Sequence, residues 1–282
     1  MSNARMTKEG LPAGFLDQTE TFATIKFEVR ADKIGVLTLN RPDKLNAFDE
    51  TMIREIRQVV WRANFDDAIR VLMITGAGRA FCSGRDIIGL DYENNLPTSQ
   101  YRAYVRANHE MFDEIEAIEK PVVAVVNGIC AGGGVEMAVA CDFRIAATGA
   151  EFVLTENKLG VLPASGACSR MIQLIGMGRL KEMVMAALPV GAARAEAIGL
   201  VHRVFEPAKL MDGAFEFARM LVDRAPLAMG VAKHIINTCQ NVDTETGRIL
   251  ERLGQSILIR SQDAREGMTA FREKRAPKFR GA

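Results

Sequence analysis

Two glutamates stand where a well-solvated carboxylate would not be expected. The stretch Asn127–Asp142 reads NGICAGGGVEMAVACD, so Glu136 follows three consecutive glycines and leads an apolar run. Glu156 follows Phe152-Val153-Leu154-Thr155 and precedes Leu159-Gly160-Val161-Leu162. Apolar surroundings raise a carboxyl pKa toward neutrality, which lets one group accept a proton while the other donates. Glu136 has an ordinary alternative, since a carboxylate in the first turn of a helix is favoured by the helix dipole and can serve as a cap. Sequence alone does not place the two within reach of each other.

Two glycine-bearing turns offer the complementary groups. Phe81-Cys82-Ser83-Gly84-Arg85-Asp86 follows the strand-like Val71–Thr75 region, and Asn127–Glu136 follows Val122–Val126. A strand that ends in small residues and leads into a helix leaves backbone N–H groups without partners, and glycine lets a ligand approach them. Two such ends side by side present convergent donors, the geometry of an oxyanion hole, where each donor is worth roughly 2.7 to 4 kcal/mol. A helix beginning near Gly133 adds its positive end. The same glycines are equally compatible with close helix–strand packing.

The elements that must position these groups can be read from periodicity. Thr21–Val29 and Gly35–Leu39 alternate as two strands across an Ala31-Asp32-Lys33 turn. Asp49 is placed to cap a helix from Glu50 to about Asn64, with Met52, Ile53, Ile56, Val59 and Val60 on one face. Val71–Ile74 and Val122–Val126 are continuous β-branched runs, typical of strands covered on both sides. Tyr101–Ile118 reads as helix, residues 87–100 as an irregular and mobile loop, and Phe143–Ala147 as a strand. From Arg179 the chain turns mainly helical, with a strand at Leu200–Phe205 and helices at Pro207–Arg224, Leu227–Cys239 and Thr244–Ile259. This divides the chain into an N-terminus of residues 1–20, a mixed α/β core over 21–205 and a helical part over 206–282. The opening MSNA followed by Met6 reads as a tag remnant on a flexible end.

Other chemistries fit poorly. Gly76-Ala77-Gly78 lacks the third glycine of a dinucleotide fingerprint, and there is no GK[ST] phosphate loop. No GxSxG elbow occurs, and Cys82 has no base assigned to it, so a small buried thiol is the simpler reading. His109, His202 and His234 are far apart without ligand spacing, and no metal is expected. Arg54, Arg57 and Arg62 form a basic strip on the first helix without interleaved aromatics, which reads as a solvated face rather than an RNA site.

Composition agrees. In 282 residues, 36 Lys and Arg against 35 Asp and Glu leave a formal charge of +1, so no global field draws the chain to nucleic acid or an anionic membrane. The five cysteines are odd in number without CxxC spacing, which favours a reducing, cytoplasmic setting. No apolar run approaches the roughly 18 to 20 residues of a membrane span.

Taken in order, these pieces resemble the enoyl-CoA hydratase/isomerase (crotonase) superfamily, from about Phe22 to Phe279. The matching segments are Leu39-Asn40-Arg41-Pro42 with Asn46-Ala47, Phe81–Ile87, NGICAGGGVEMAVACD, Thr155–Gly160, and Glu266–Phe271 running to Lys274-Arg275. The resemblance implies an α/β fold, a crotonase-like spiral of ββα units with a helical C-terminal region, the latter serving oligomerisation as a homotrimer or homohexamer. It implies an acyl-CoA thioester whose carbonyl is held by the N–H groups of Arg85 and Gly133, with Glu136 and Glu156 as the acid/base pair that adds water across a 2,3-double bond. Lys44, Ala47, Ser83, Arg85, Asp86, Ile87 and Gly132 are the implied substrate- and CoA-binding positions. Lys274 matches a lysine that reaches the CoA of a neighbouring subunit. Neither metal nor redox cofactor is implied, CoA being part of the substrate. Both glutamates favour hydration over isomerisation, hydrolysis or C–C cleavage on the same enolate. A nucleic-acid-binding or structural role would leave the carboxylates as relics. Two positions depart from the family pattern. Arg85 replaces a smaller residue, its guanidinium free to meet a CoA phosphate, a substrate carboxylate or solvent, and Pro163–Arg170 is less glycine-rich than usual, which bears on the acyl pocket.

Overall fold

The computed structural model describes residues 21–86 and 95–282; the expected tag and most of the expected loop lie outside the described residues. β1 (Ile25–Val29) and β2 (Ile34–Leu39) form an antiparallel pair with Ile25 opposite Leu39. Lys33 turns the corner with φ of 62°. Helix α1 (Glu50–Phe65) starts as expected, Asp49 accepting the Met52 N–H at 2.9 Å, and buries Met52, Ile53, Ile56, Val59 and Val60.

A repeated pattern then builds the site. β3 (Val71–Gly76) is followed by the short β4 (Ala80–Cys82) and helix α2 (Thr98–Ala117). β5 (Val122–Val126) is followed by β6 (Ile129–Ala131) and helix α3 (Gly133–Ala140). β7 (Phe143–Ala147) is followed by β8 (Glu151–Val153) and a 3-10 turn at Glu156–Leu159. The first strand of each unit joins a large sheet and the second a small one. With β9 (Val190–Gly191) and β10 (Arg203–Phe205), the large sheet runs β1-β2-β3-β5-β7-β10 and the small sheet β4-β6-β8-β9. This is the spiral of ββα units, confirmed in fold class.

The chain continues through α4 (Ala167–Ile175), α5 (Met177–Met185) and α6 (Ala192–Ala197) to the C-terminal helices α7 (Leu210–Val222), α8 (Pro226–Cys239), α9 (Thr244–Leu258) and α10 (Gln262–Glu273). Helix α4 stands where the sequence pattern was too short to show one, while α5 and α6 fall largely in the stretch from Arg179 read as mainly helical. The strand expected at Leu200–Phe205 is shorter, because Leu200 and Val201 turn into the core instead of pairing. The large sheet explains its apolar runs: Leu72 and Ile74 face one core cluster, while Val71 and Met73 face another completed by Leu210, Ala214 and Ala218 of α7. Both faces are dry, so alternation has nothing polar to display.

Two buried polar anchors fix α3 and α8. Arg144 donates to the carbonyls of Ala138, Cys141 and Leu200, satisfying groups at the C-terminal end of α3. Asp142 accepts from the Val122 N–H at 2.7 Å and from Lys233 of α8 at 2.8 Å. Among the described residues no helix is long and apolar enough to cross a membrane.

Candidate active site

The small sheet brings the two glycine turns together. β4 and β6 lie parallel, with Cys82 opposite Cys130, so their C-terminal ends emerge side by side. A Cβ on Gly84 would stand 3.0 Å from the Gly133 nitrogen, and φ at Gly84 is +95°, so this contact requires glycine. Gly133 is the first residue of α3, where the backbone N–H has no acceptor inside the helix. The Gly84-Arg85-Asp86 segment is held from its other side: the Phe48 N–H donates to Gly84 O and the Asp86 N–H to Phe48 O, both at 2.9 Å. The Phe48 ring also closes over Gly133, leaving no space for a side chain there.

Beneath this platform, fully buried Asn46 accepts the Arg41 N–H and donates to Ala77 O and Ala80 O. Lys44 and Arg41 both reach Asp86 Oδ2 at 2.9 Å, Arg41 donates to Ala47 O, and the Ser83 hydroxyl donates to Lys44 O. Lys44, Ala47, Ser83, Arg85, Asp86, Gly132 and Gly133 are thereby gathered at one place. The Arg85 guanidinium meets Glu50 and the Tyr104 hydroxyl, both at 2.7 Å. A carboxylate one helix away supplies the anion that the sequence left unassigned.

The glutamates flank the platform. Glu136 sits in the first turn of α3 with 4% exposure. Its Oε1 accepts the N–H groups of Ser165 at 2.6 Å and Ala167 at 3.2 Å, so it caps not its own helix but the start of α4. Glu156 opens the 3-10 turn, and its Oε1 lies 3.0 Å from where a Cβ on Gly132 would be. Its Oε2 is buried without a hydrogen-bond partner among the described residues. Burial pushes both carboxyls above their ordinary range; the Ser165 and Ala167 donors and the Arg170 charge pull Glu136 back, whereas Glu156 is pulled back only by backbone N–H groups of its own turn and is pushed up again by the charge of Glu136. Glu156 thus approaches the platform at Gly132 and lies close enough to Glu136 to feel its charge.

The chain has known relatives. The family model described as enoyl-CoA hydratase/isomerase matches residues 30–282. The chain belongs to that family. It is 36% identical over 251 residues to a crotonyl-CoA hydratase of Syntrophomonas wolfei, covering 89% of this chain and 95% of that protein. It is also 36% identical to a short-chain-enoyl-CoA hydratase of Clostridium acetobutylicum, covering 86% and 92%. Among solved structures, an enoyl-CoA hydratase from Bacillus anthracis superimposes with a TM-score of 0.87 at 33% identity, covering 92% of this chain and 100% of that one.

Other expected residues of this family member lie elsewhere. Lys274 ends α10 in the left-handed region, exposed, with its N–H bonded locally to Phe271 O. Ile87 lies outside the described residues. Among the described residues no cluster of three or more His, Cys, Asp or Glu could hold a metal. Arg57 is paired with Glu114 and Glu110, and Arg62 with Asp66, so the basic strip is largely spent in ion pairs. Burial pushes the Cys82 and Cys141 thiols up to about 12, which leaves no thiolate for nucleophilic chemistry near neutral pH. Cys168 is exposed, and its thiol is raised by burial and then by the charges of Glu136 and Glu156, which places it beside the pair. Sequence reading missed Ser165, Ala167 and Cys168 as site residues. Their signal was the start of a helix after Gly166, hidden in a segment without helical periodicity.

Proposed function

We propose that the chain is an enoyl-CoA hydratase that adds water across the 2,3-double bond of a 2-enoyl-CoA thioester. The observation that carries this reading is a pair of glutamates, Glu136 buried and Glu156 half-buried, in different hydrogen-bonding environments and set beside two adjoining strand-end turns. The thioester carbonyl is received by the N–H groups of Arg85 and Gly133, with Gly132 and Ser83 beside it. Lys44, Ala47 and Asp86 border the CoA end, and Lys274 of a neighbouring copy reaches the same CoA.

The two environments support an assignment of roles. Glu136 has two backbone donors and the Arg170 charge favouring its anion, so it acts as base and takes a proton from water. The hydroxyl oxygen bonds to C3, the C2–C3 π pair moves toward the thioester oxygen, and the developing enolate charge falls on the two N–H donors. Glu156, whose carboxyl is raised by burial and by the charge of Glu136, acts as the acid and delivers a proton to C2. Atoms balance as one water added; Glu156 regains a proton and Glu136 loses one before the next cycle. The sequence of steps uses carboxyl protons and backbone donors, with CoA entering as part of the substrate and no metal or redox cofactor. Exposed Ile249, Leu253 and Ile257 on one stripe of α9 support assembly as a trimer or pair of trimers.

The test is hydration of crotonyl-CoA by the wild type, Glu136→Gln and Glu156→Gln. The expected result is activity in the wild type and a fall of about 10² to 10⁴ in kcat for each variant. A wild type inactive on enoyl-CoA thioesters across chain lengths would sink the reading, and turnover of other acyl-CoA thioesters would move it to isomerisation, hydrolysis or C–C cleavage on the same enolate.

A further inference from the structure

The turn that holds Glu136 is itself held. Ser165, Gly166 and Ala167 run between the Glu136 carboxylate on one side and the Arg170 guanidinium on the other. Arg170 donates to Ser165 O at 2.9 Å, so the residue whose N–H grips Glu136 is gripped in turn at its carbonyl. Gly166 adopts φ of +109°, and a Cβ there would stand 1.8 Å from an Arg170 nitrogen, so the turn is moulded on the guanidinium. Arg170 is locked from behind by α2: Nε and a terminal nitrogen reach Glu116 Oε2 at 2.9 and 2.7 Å, and the latter nitrogen reaches Asp113 Oδ1 at 2.8 Å. With only 12% of its side chain exposed, this is a planar fork used on three partners at once.

We propose that Arg170 is the positioning residue for the base: by fixing the Ser165–Ala167 turn it aims both backbone donors at Glu136 Oε1 and holds that carboxylate in place for water. The inference rests on the hydratase reading for its kinetic consequence but not for its geometry. The charged and titratable groups around Glu136 are few. Arg170 faces it from α4, as does the Cys168 thiol, and Glu156 faces it from the 3-10 turn. Arg144 from β7 donates to Ala138 O on the far end of the same helix. Around Arg170 stand Asp113, Glu116 and His109 of α2, the last with its imidazole pushed down by burial. Arg170 is the one cation among these that acts on Glu136 directly, and it favours the anion.

The experiment compares Arg170→Gln and Arg170→Lys with the wild type in the full-length protein. Crotonyl-CoA kinetics are recorded across pH, and the Glu136 carboxyl is titrated by ¹³C NMR without substrate, assigned by its disappearance in Glu136→Gln. For Arg170→Gln the expected result is a loss of roughly tenfold to a hundredfold in kcat with KM little changed. Losing the cation and loosening the turn both disfavour the anion, so the Glu136 titration and the acidic limb of kcat/KM move to higher pH. Arg170→Lys keeps the charge but not the fork, and should recover the titration more than the rate. An unaltered Glu136 titration in Arg170→Gln overturns the proposal whatever happens to kcat. If Arg170→Gln does not fold, a wild-type rate in Arg170→Lys overturns it. Should the wild type fail to hydrate any enoyl-CoA, the hydratase reading falls while the carboxyl titration still decides the role of Arg170.

Discussion

Glu136 and Glu156 are the same residue type, shifted in the same direction by the same first cause, yet their supports differ. Glu136 stands on a helix wedged among core strands, and two N–H groups grip one of its oxygens. Glu156 opens a four-residue turn that ends in exposed Leu159 and is followed by exposed Val161 and Leu162, and one of its oxygens has no partner among the described residues. Desolvation alone does not distinguish the acid and base roles proposed for them; the compensation each carboxylate receives is what separates them. Two donors from another segment and the Arg170 charge favour the Glu136 anion, while the charge of Glu136 adds to burial in favouring the protonated form of Glu156.

The largest expected contrast is in how the two supports tolerate a single methyl group. In Gly134→Ala the added Cβ would lie 2.2 Å from Cys82 O, a backbone atom of β4 that has no room to withdraw. The expected cost is about 3 kcal/mol of unfolding free energy, from overpacking. Gly160→Ala at the end of the Glu156 turn meets nothing within 4 Å, and its strain comes only from φ of +76°. About 1 kcal/mol is expected there. Urea denaturation of both variants measures the difference, and equal losses would mean that the two supports are equally rigid.

A smaller effect separates the carboxylates themselves. Both have native pKa values raised above the unfolded value, so the native state holds more protons between the two, and stability declines as pH rises through the native pKa. Each is thus a stability cost at neutral pH, accepted for function. Glu156→Gln should raise Tm at pH 7, and the gain should vanish below the ordinary carboxylate range. Glu136→Gln should gain less, because its two N–H donors already offset part of the burial. Thermal melts at pH 7 and pH 4 check the order, and a larger gain in Glu136→Gln would reverse the assignment of base and acid.

The same contrast explains what was legible in the sequence. The β3 and β5 runs, the Asp49 cap and the start of α3 at the glycines could be read because one local rule governs each: continuous apolar β-branched residues, a capping side chain, a glycine stop. Glu136 and Glu156 were legible as anomalies, charges among apolar neighbours. Their proximity was not, since it depends on β6 and β8 being adjacent in a small sheet of three-residue strands. The grip of Ser165 and Ala167 on Glu136 spans about thirty residues of sequence and uses backbone groups, which carry no residue signature. Arg85 was legible as an oddity but its partner was not, because Glu50 lies 35 residues away on a helix face that looked merely solvated.

The smallest effect tests the weaker support directly. The 3-10 turn that carries Glu156 is tied to the rest of the chain by Asn157, whose side-chain amide donates to Met185 O at 2.6 Å at the end of α5. The bond is solvent-exposed, so its loss should cost only about 0.5 to 1 kcal/mol of stability. Its consequence for the reaction is more specific. If the acid is held by a turn rather than a helix, Asn157→Ala should lower kcat by about threefold, an energy of about 0.7 kcal/mol. The basic limb of the pH profile, which follows deprotonation of the acid, should respond while the acidic limb set by Glu136 stays in place. An acidic limb that moved instead would show that the two carboxylates are positioned as one unit, and the division between a fixed base and a turn-borne acid would not hold.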